Sequence, residues 1–259
     1  MPTITSRQNA VIQQATRLRD SAAARRETER LFLEGARLVH DAALSGLTIH
    51  QLFLTPDAQK KYAERLRDVR AAESYEIQPH VAALLSDTRT PQGVFAVCAL
   101  PRVPAPDWTD TTRALALEQI QDPGNLGTIL RTAEAFGLDA VFLCDCADVY
   151  GAKALRAGMG AAFRLPIVPV ADLPVWLRDA GAQGVRTLAA VPTRGAQTID
   201  SLRTDGAGAL LVALGNEGNG LTRETVAACA APVTIPMRGR AESLSVASAA
   251  AVICWEICR

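Results

Sequence analysis

Residues 209–222 read ALLVALGNEGNGLT. Six apolar residues without alternation, 209–214, run into a loop with three glycines, Gly215, Gly218 and Gly220. A continuous apolar run closed by glycine marks a strand buried on both faces, as in parallel sheets. Glycines let the backbone approach a ligand closely. In open parallel sheets ligands gather at the carboxyl ends of strands, where this loop sits. Its spacing is that of a phosphate-binding loop, G-x-x-x-x-G-x-T. Leu221, however, stands where that loop needs its lysine, which argues against ATP or GTP. Nor is it the dinucleotide fingerprint, because the order is G-x-x-G-x-G.

Outward from this stretch the same alternation repeats. Apolar runs at residues 114–120, 140–143, 165–168, 187–191 and 233–235 read as strands. Helical stretches at 126–136, 152–158, 173–180 and 223–230 fall between most of them, and a last helix spans 243–258. The expectation for 111–259 is an α/β domain: a mostly parallel sheet with helices on both faces. PRVPAPDWTD, residues 101–110, carries three prolines and reads as a linker. Residues 1–100 read as a smaller α/β domain. Its expected helices are 11–19, 25–33, 35–44, 58–71 and 81–85, and its strands are 49–54 and 93–100.

Two more strand-end loops invite attention. After 114–120 comes Gln121-Asp122-Pro123-Gly124-Asn125, with Asn125 placed to cap the next helix. There Leu126, Ile129, Leu130, Ala133 and Phe136 form one apolar stripe. Arg131 lies off it, free to point into a cleft, although an ordinary solvated arginine would look the same. After 233–235 comes the loop PMRGRAESLS, residues 236–245, where Pro236 ends the strand and Ser243 can cap the buried last helix.

Composition bounds the rest. Lys+Arg and Asp+Glu both number 27, so the net charge is zero, which at first argues against a nucleic-acid partner. The sum hides an asymmetry: residues 1–40 hold seven Arg against four acids, while 101–259 hold 14 basic and 16 acidic groups. A mildly positive leading segment is a weak pointer to RNA. Lysine occurs only at 60, 61 and 153, so arginine supplies 24 of the basic groups. Arginine is the better phosphate fork, though a general Arg-for-Lys bias explains the ratio equally well. The six cysteines show no C-x-x-C pair and read as buried reduced thiols. All three histidines, His40, His50 and His80, lie in the first third. The later domain must therefore work without a histidine triad, and no metal site is expected. No apolar run approaches membrane-spanning length and MPTITSRQNA has no signal-peptide pattern, so a cytoplasmic protein is the default expectation.

Taken together, the three loops resemble the SpoU (TrmH-like) branch of the SPOUT RNA methyltransferases. The resemblance covers residues 114–258. It rests on Asn125-Leu-Gly-Thr-Ile-Leu-Arg131-Thr-Ala-Glu-Ala-Phe-Gly137, on 214–221, and on Ile235-Pro-Met followed by Ser243-Leu244. The intervening DVYGAKALRAGMGAAFRLP also fits the family, with Lys153, Arg156 and Met159-Gly160 in place. ITSRQNAVIQQATRLRD and FLEGARLV resemble, less specifically, the ribosomal-protein-like RNA-binding domain that some members carry in front.

The resemblance implies methyl transfer from S-adenosylmethionine to a ribose 2′-hydroxyl of RNA, without metal. It implies a C-terminal trefoil knot and a homodimer sharing its site across chains. By matching position the cofactor would be held, largely through backbone groups, by Leu214, Gly215, Asn216, Gly220, Ile235, Met237, Ser243 and Leu244. The catalytic shell would be Asn125, Arg131, Glu217 and Ser243, with Ser245 beside them. One departure stands out: the family's usual Ser-Leu-Asn is here Ser243-Leu244-Ser245. The extra N-terminal domain favours large-subunit ribosomal RNA over transfer RNA. The rival classes are a non-catalytic RNA-binding or assembly protein on the same fold, and a nucleotide-binding Rossmann protein, which the glycine order disfavours.

Overall fold

The computed structural model describes residues 1–193, 196–204, 208–240 and 243–259. The chain divides into two compact units. The first is Met1–Arg102 with Tyr150–Phe163, and the second is Val103–Val149 with Arg164–Arg259.

In the first unit β1 (Thr3–Ile4), α1 (Ala10–Asp20), α2 (Ala22–Thr28), β2 (Arg30–Glu34) and α3 (Ala36–Leu44) come first. They are followed by β3 (Ile49–Leu54), α4 (Pro56–Lys61), β4 (Ala71–Ile77), α5 (Pro79–Leu85) and β5 (Val94–Ala99). The strands form one mixed sheet in the order β1-β4-β3-β5-β2. Its core joins Ile12, Ala15 and Leu18 of α1 to Phe53, Phe95 and Ile77 of the sheet.

Two expected helices are corrected here. The helix expected over 25–33 stops at Thr28, because Glu29 turns left-handed (φ 52°) and the buried run Leu31-Phe32-Leu33 pairs as β2 against β5. The helix expected over 58–71 stops at Lys61. Beyond a turn lies β4, which no apolar run announces. It is the half-exposed stretch AAESYEI, and only pairing with β3 and β1 makes it a strand.

The second unit contains β6 (Arg113–Glu118), α6 (Pro123–Ala135) and β7 (Ala140–Cys144). The chain then visits the first unit with α7 (Ala152–Gly158) and the 3₁₀ turn Ala161–Phe163. There Arg156 pairs with Asp87 at 2.7 Å. Residues 150–163, expected inside the later domain, thus group with the earlier one. The second unit resumes with β8 (Ile167–Pro169), α8 (Leu173–Ala182), β9 (Arg186–Ala190) and β10 (Gln197–Thr198). It closes with β11 (Leu210–Leu214), α9 (Arg223–Ala228), β12 (Ala231–Thr234) and α10 (Val246–Cys258).

The seven strands pair in the order β10-β12-β9-β11-β6-β7-β8, every pair parallel. Ala114, Ala116, Leu211 and Ala213 pack toward Leu173 and Leu177 of α8. Strand alternation sends Leu115, Leu117, Val212 and Leu214 to the opposite face. On the expected linker, Trp108 stacks on Phe142 at 5.7 Å, so its end belongs to the second unit's packing.

Candidate functional site

The carboxyl ends of β9, β11 and β12 and the first turns of α10 enclose a cavity of ≈ 410 Å³. That volume suits a small organic ligand. All eight residues expected to hold a cofactor line it: Leu214, Gly215, Asn216, Gly220, Ile235, Met237, Ser243 and Leu244. Glu217 lines it too. Ile199, Val233, Val246 and Ile253 add apolar wall. Ala190 at the end of β9 and residues 191–193 of the loop after it also line the cavity and were not singled out from the sequence. The signal was available, since that loop follows a strand of the same parallel sheet.

The glycine loop folds back on itself. A Cβ on Gly215 would lie 2.0 Å from the carbonyl carbon of Gly220 and 2.2 Å from the nitrogen of Leu221. Gly220 takes φ +67°, and its N–H donates to the carbonyl of Asn216 at 3.0 Å. The Asn216 side-chain oxygen accepts from the N–H groups of Gly218 (2.9 Å) and Asn219 (2.7 Å). Two glycines are thus needed for different reasons: one for close approach, one for a left-handed turn.

The β6–α6 connection meets this loop. The Asn125 amide donates to the Glu217 carboxylate. Asn125 is free to do so because it is not the helix cap. Asp122 caps α6 instead, accepting from the Asn125 N–H at 2.9 Å. The proline at 123 starts the helix one residue after that cap, which moves Asn125 into the first turn. Arg131 lies exposed on α6 and does not line the cavity. Among the described residues its side chain has no hydrogen bond or ion pair.

The third loop needs a second correction. The last helix begins at Val246, and its cap is Ser245, not Ser243. Ser245 Oγ accepts from the Ser248 N–H at 3.2 Å and donates to Ser248 Oγ at 2.9 Å. Ser243 and Leu244 are thereby left outside the helix and line the cavity. Residues 241–242 of this loop lie outside the described residues. Capping suits serine and asparagine alike, so the departure from Ser-Leu-Asn preserves the helix start. Ser245→Asn is expected to keep the melting temperature of the parent, and Ser245→Ala to cost about 1 kcal/mol, both read by thermal unfolding.

The six cysteines are free. Burial pushes the Cys146 thiol up to about 11 and those of Cys229 and Cys254 to about 12. These thiols stay protonated at neutral pH and are poor nucleophiles.

Comparison with known proteins bears on this geometry. The profile of the SpoU rRNA Methylase family matches residues 112–255, and that of the MRM3-like substrate binding domain matches residues 9–96. An uncharacterized tRNA/rRNA methyltransferase of Synechocystis sp. is 34% identical, over 98% of this chain and 92% of its own length. The 23S rRNA (guanosine(2553)-2′-O)-methyltransferase of Bacillus subtilis is 31% identical over 90% of each chain. Among solved structures, an AdoMet-bound rRNA methyltransferase from Sinorhizobium meliloti superposes with TM-score 0.83 at 28% identity, over 98% of this chain and 96% of its own. The SpoU methyltransferase AviRb from Streptomyces viridochromogenes with AdoMet gives 0.83 at 27%, over 96% and 97%.

Proposed function

The chain belongs to the SpoU rRNA methylase family, and from that membership we propose that it transfers methyl from S-adenosylmethionine to a ribose 2′-hydroxyl of large-subunit ribosomal RNA. One observation carries the reading: a single cavity gathers every residue matched to the cofactor, and Asn125 reaches Glu217 on the glycine loop beside it.

The residues present fit the cofactor. Gly215 and Gly220 bring side-chain-free backbone to the cavity, where it can approach an adenine edge, while Ile235, Leu244 and Met237 supply apolar contact. When bound, S-adenosylmethionine supplies the sulfonium methyl. The chain's part is to hold the acceptor hydroxyl in line at near-attack distance. Asn125 donates to one carboxylate oxygen of Glu217, which holds that side chain at the cavity it lines. Arg131, exposed and without a side-chain partner among the described residues, suits a phosphate of the incoming RNA. An arginine is essentially always protonated, so its fitting role is to stabilise the developing alkoxide, not to take the proton.

The resemblance further supports a C-terminal knot, consistent with α10 packing against both α6 and β11. It also supports a homodimer acting in the cytoplasm. Phe136 and Trp255 are 38% and 50% exposed and meet edge to face at 5.8 Å, an aromatic patch suited to a second copy. Among the described residues no helix is long and apolar enough to cross a membrane.

Calorimetry with S-adenosylmethionine, NAD and ATP tests the cofactor. Only the first is expected to bind, and binding of either nucleotide alone would overturn the reading. Mass-spectrometric mapping of ribose methylation in a deletion strain tests the substrate. One lost 2′-O-methyl in large-subunit RNA is the expected result, and a loss confined to transfer RNA would redirect it.

A further inference from the structure

The glycine loop is also gripped at its far end, by a residue outside the cavity. Glu118 ends β6 and is only 5% exposed. Its carboxylate accepts three hydrogen bonds from just beyond the loop. The Thr222 N–H donates at 2.8 Å, and the hydroxyls of Thr222 and Thr225 at 2.9 and 2.6 Å. Thr225 is itself buried. Among the described residues no cation pairs with Glu118.

Burying a carboxylate costs more than three such bonds commonly return, and an apolar residue of similar volume often serves stability as well or better. Stability alone therefore accounts poorly for a glutamate here, and geometry accounts for it well. Thr222 follows Leu221, whose nitrogen packs against Gly215 at the loop's start. A shift at Thr222 must move Gly220 and Leu221, and through them the wall formed by Gly215 and Asn216. With Asn125 holding Glu217 in the middle, the end of β6 and the first turn of α6 grip the loop at two points.

We propose that Glu118 is a positioning residue for the methyl-transfer reaction, clamping Thr222 and Thr225 so that the glycine loop keeps the curvature that receives S-adenosylmethionine. The proposal rests on the family reading above.

Glu118→Leu, Glu118→Gln, Thr225→Val and Thr225→Ser in the full chain test it. Cofactor affinity is read by calorimetry below each variant's melting temperature, and kcat is read at saturating cofactor. Glu118→Leu and Thr225→Val are expected to weaken S-adenosylmethionine by about tenfold or more. Thr225→Ser keeps the hydroxyl and is expected to restore affinity, and Glu118→Gln, with one acceptor oxygen left, falls between. The loss should appear mainly in cofactor Kd, with a smaller fall in kcat. Should Glu118→Leu fail to fold, the Thr225 pair carries the same contrast. Thr225→Val and any folded Glu118→Leu binding within about twofold of the parent, even with lowered melting temperatures, would show a merely structural role and overturn the proposal. If the unaltered protein takes no S-adenosylmethionine, the family reading fails first, and this proposal with it.

Discussion

Gly215→Ala is expected to abolish useful cofactor binding while leaving both units folded. The added methyl would sit 2.0 Å from the Gly220 carbonyl carbon, 2.1 Å from its oxygen and 2.2 Å from the Leu221 nitrogen. All three are main-chain atoms, so no side chain can swing aside. The loop must open, and Gly220 can no longer donate to the Asn216 carbonyl at its present 3.0 Å. Loss of the pocket wall should weaken S-adenosylmethionine by about 100-fold, or about 2.7 kcal/mol. β11 itself is unaffected, because Leu214 already ends it. Calorimetry together with a melting curve checks this. Affinity within about threefold of the parent would mean that the close packing of 215 on 220 is not what shapes the site.

The second large effect is expected at Arg131, and of the opposite kind. Arg131→Ala should lower kcat by about 10²–10³-fold, the range seen when a charge-stabilising donor is removed. Cofactor affinity should not change, since Arg131 stands on α6 away from the cavity lining. Arg131→Lys separates two roles. If the group removes a proton, lysine should recover much of the rate as pH rises toward its own ionisation. If it holds a phosphate and steadies the alkoxide, lysine should stay slow at every pH, because a point charge does not reproduce a planar fork. The second outcome is the expected one, measured as a kcat–pH profile at saturating cofactor.

Much of the fold was legible because its strands are continuous apolar runs. Residues 49–54 and the helix at 152–158 stand where the pattern put them. β4 was not legible, because Glu73, Ser74 and Glu76 belong to a strand whose outer residues are half exposed. Caps were misplaced by two or three residues, Asn125 for Asp122 and Ser243 for Ser245, since several adjacent residues have capping chemistry and only backbone angles choose.

The cavity residues were found through ordered motifs, while Glu118 was invisible. It falls inside the run 114–120 read as a strand, which the structure ends at Glu118, and its partners lie 104 and 107 residues away. The charge asymmetry of residues 1–40 includes arginines already engaged within the unit. Arg25 is buried, donating to the carbonyls of Leu18 and Arg19, and Arg17 pairs with Glu27. A sequence sum counts such arginines as if all faced a partner.

The assignment of Tyr150–Phe163 to the first unit has a consequence in time. Domains generally fold as units while the chain is being synthesised. Here the first unit lacks α7 until residue 163 has emerged, by which point β6, α6 and β7 of the second are already made. The first unit therefore cannot be completed before part of the second has been made. A chain stalled after Arg102 presents a first unit still short of its last piece, Tyr150–Phe163.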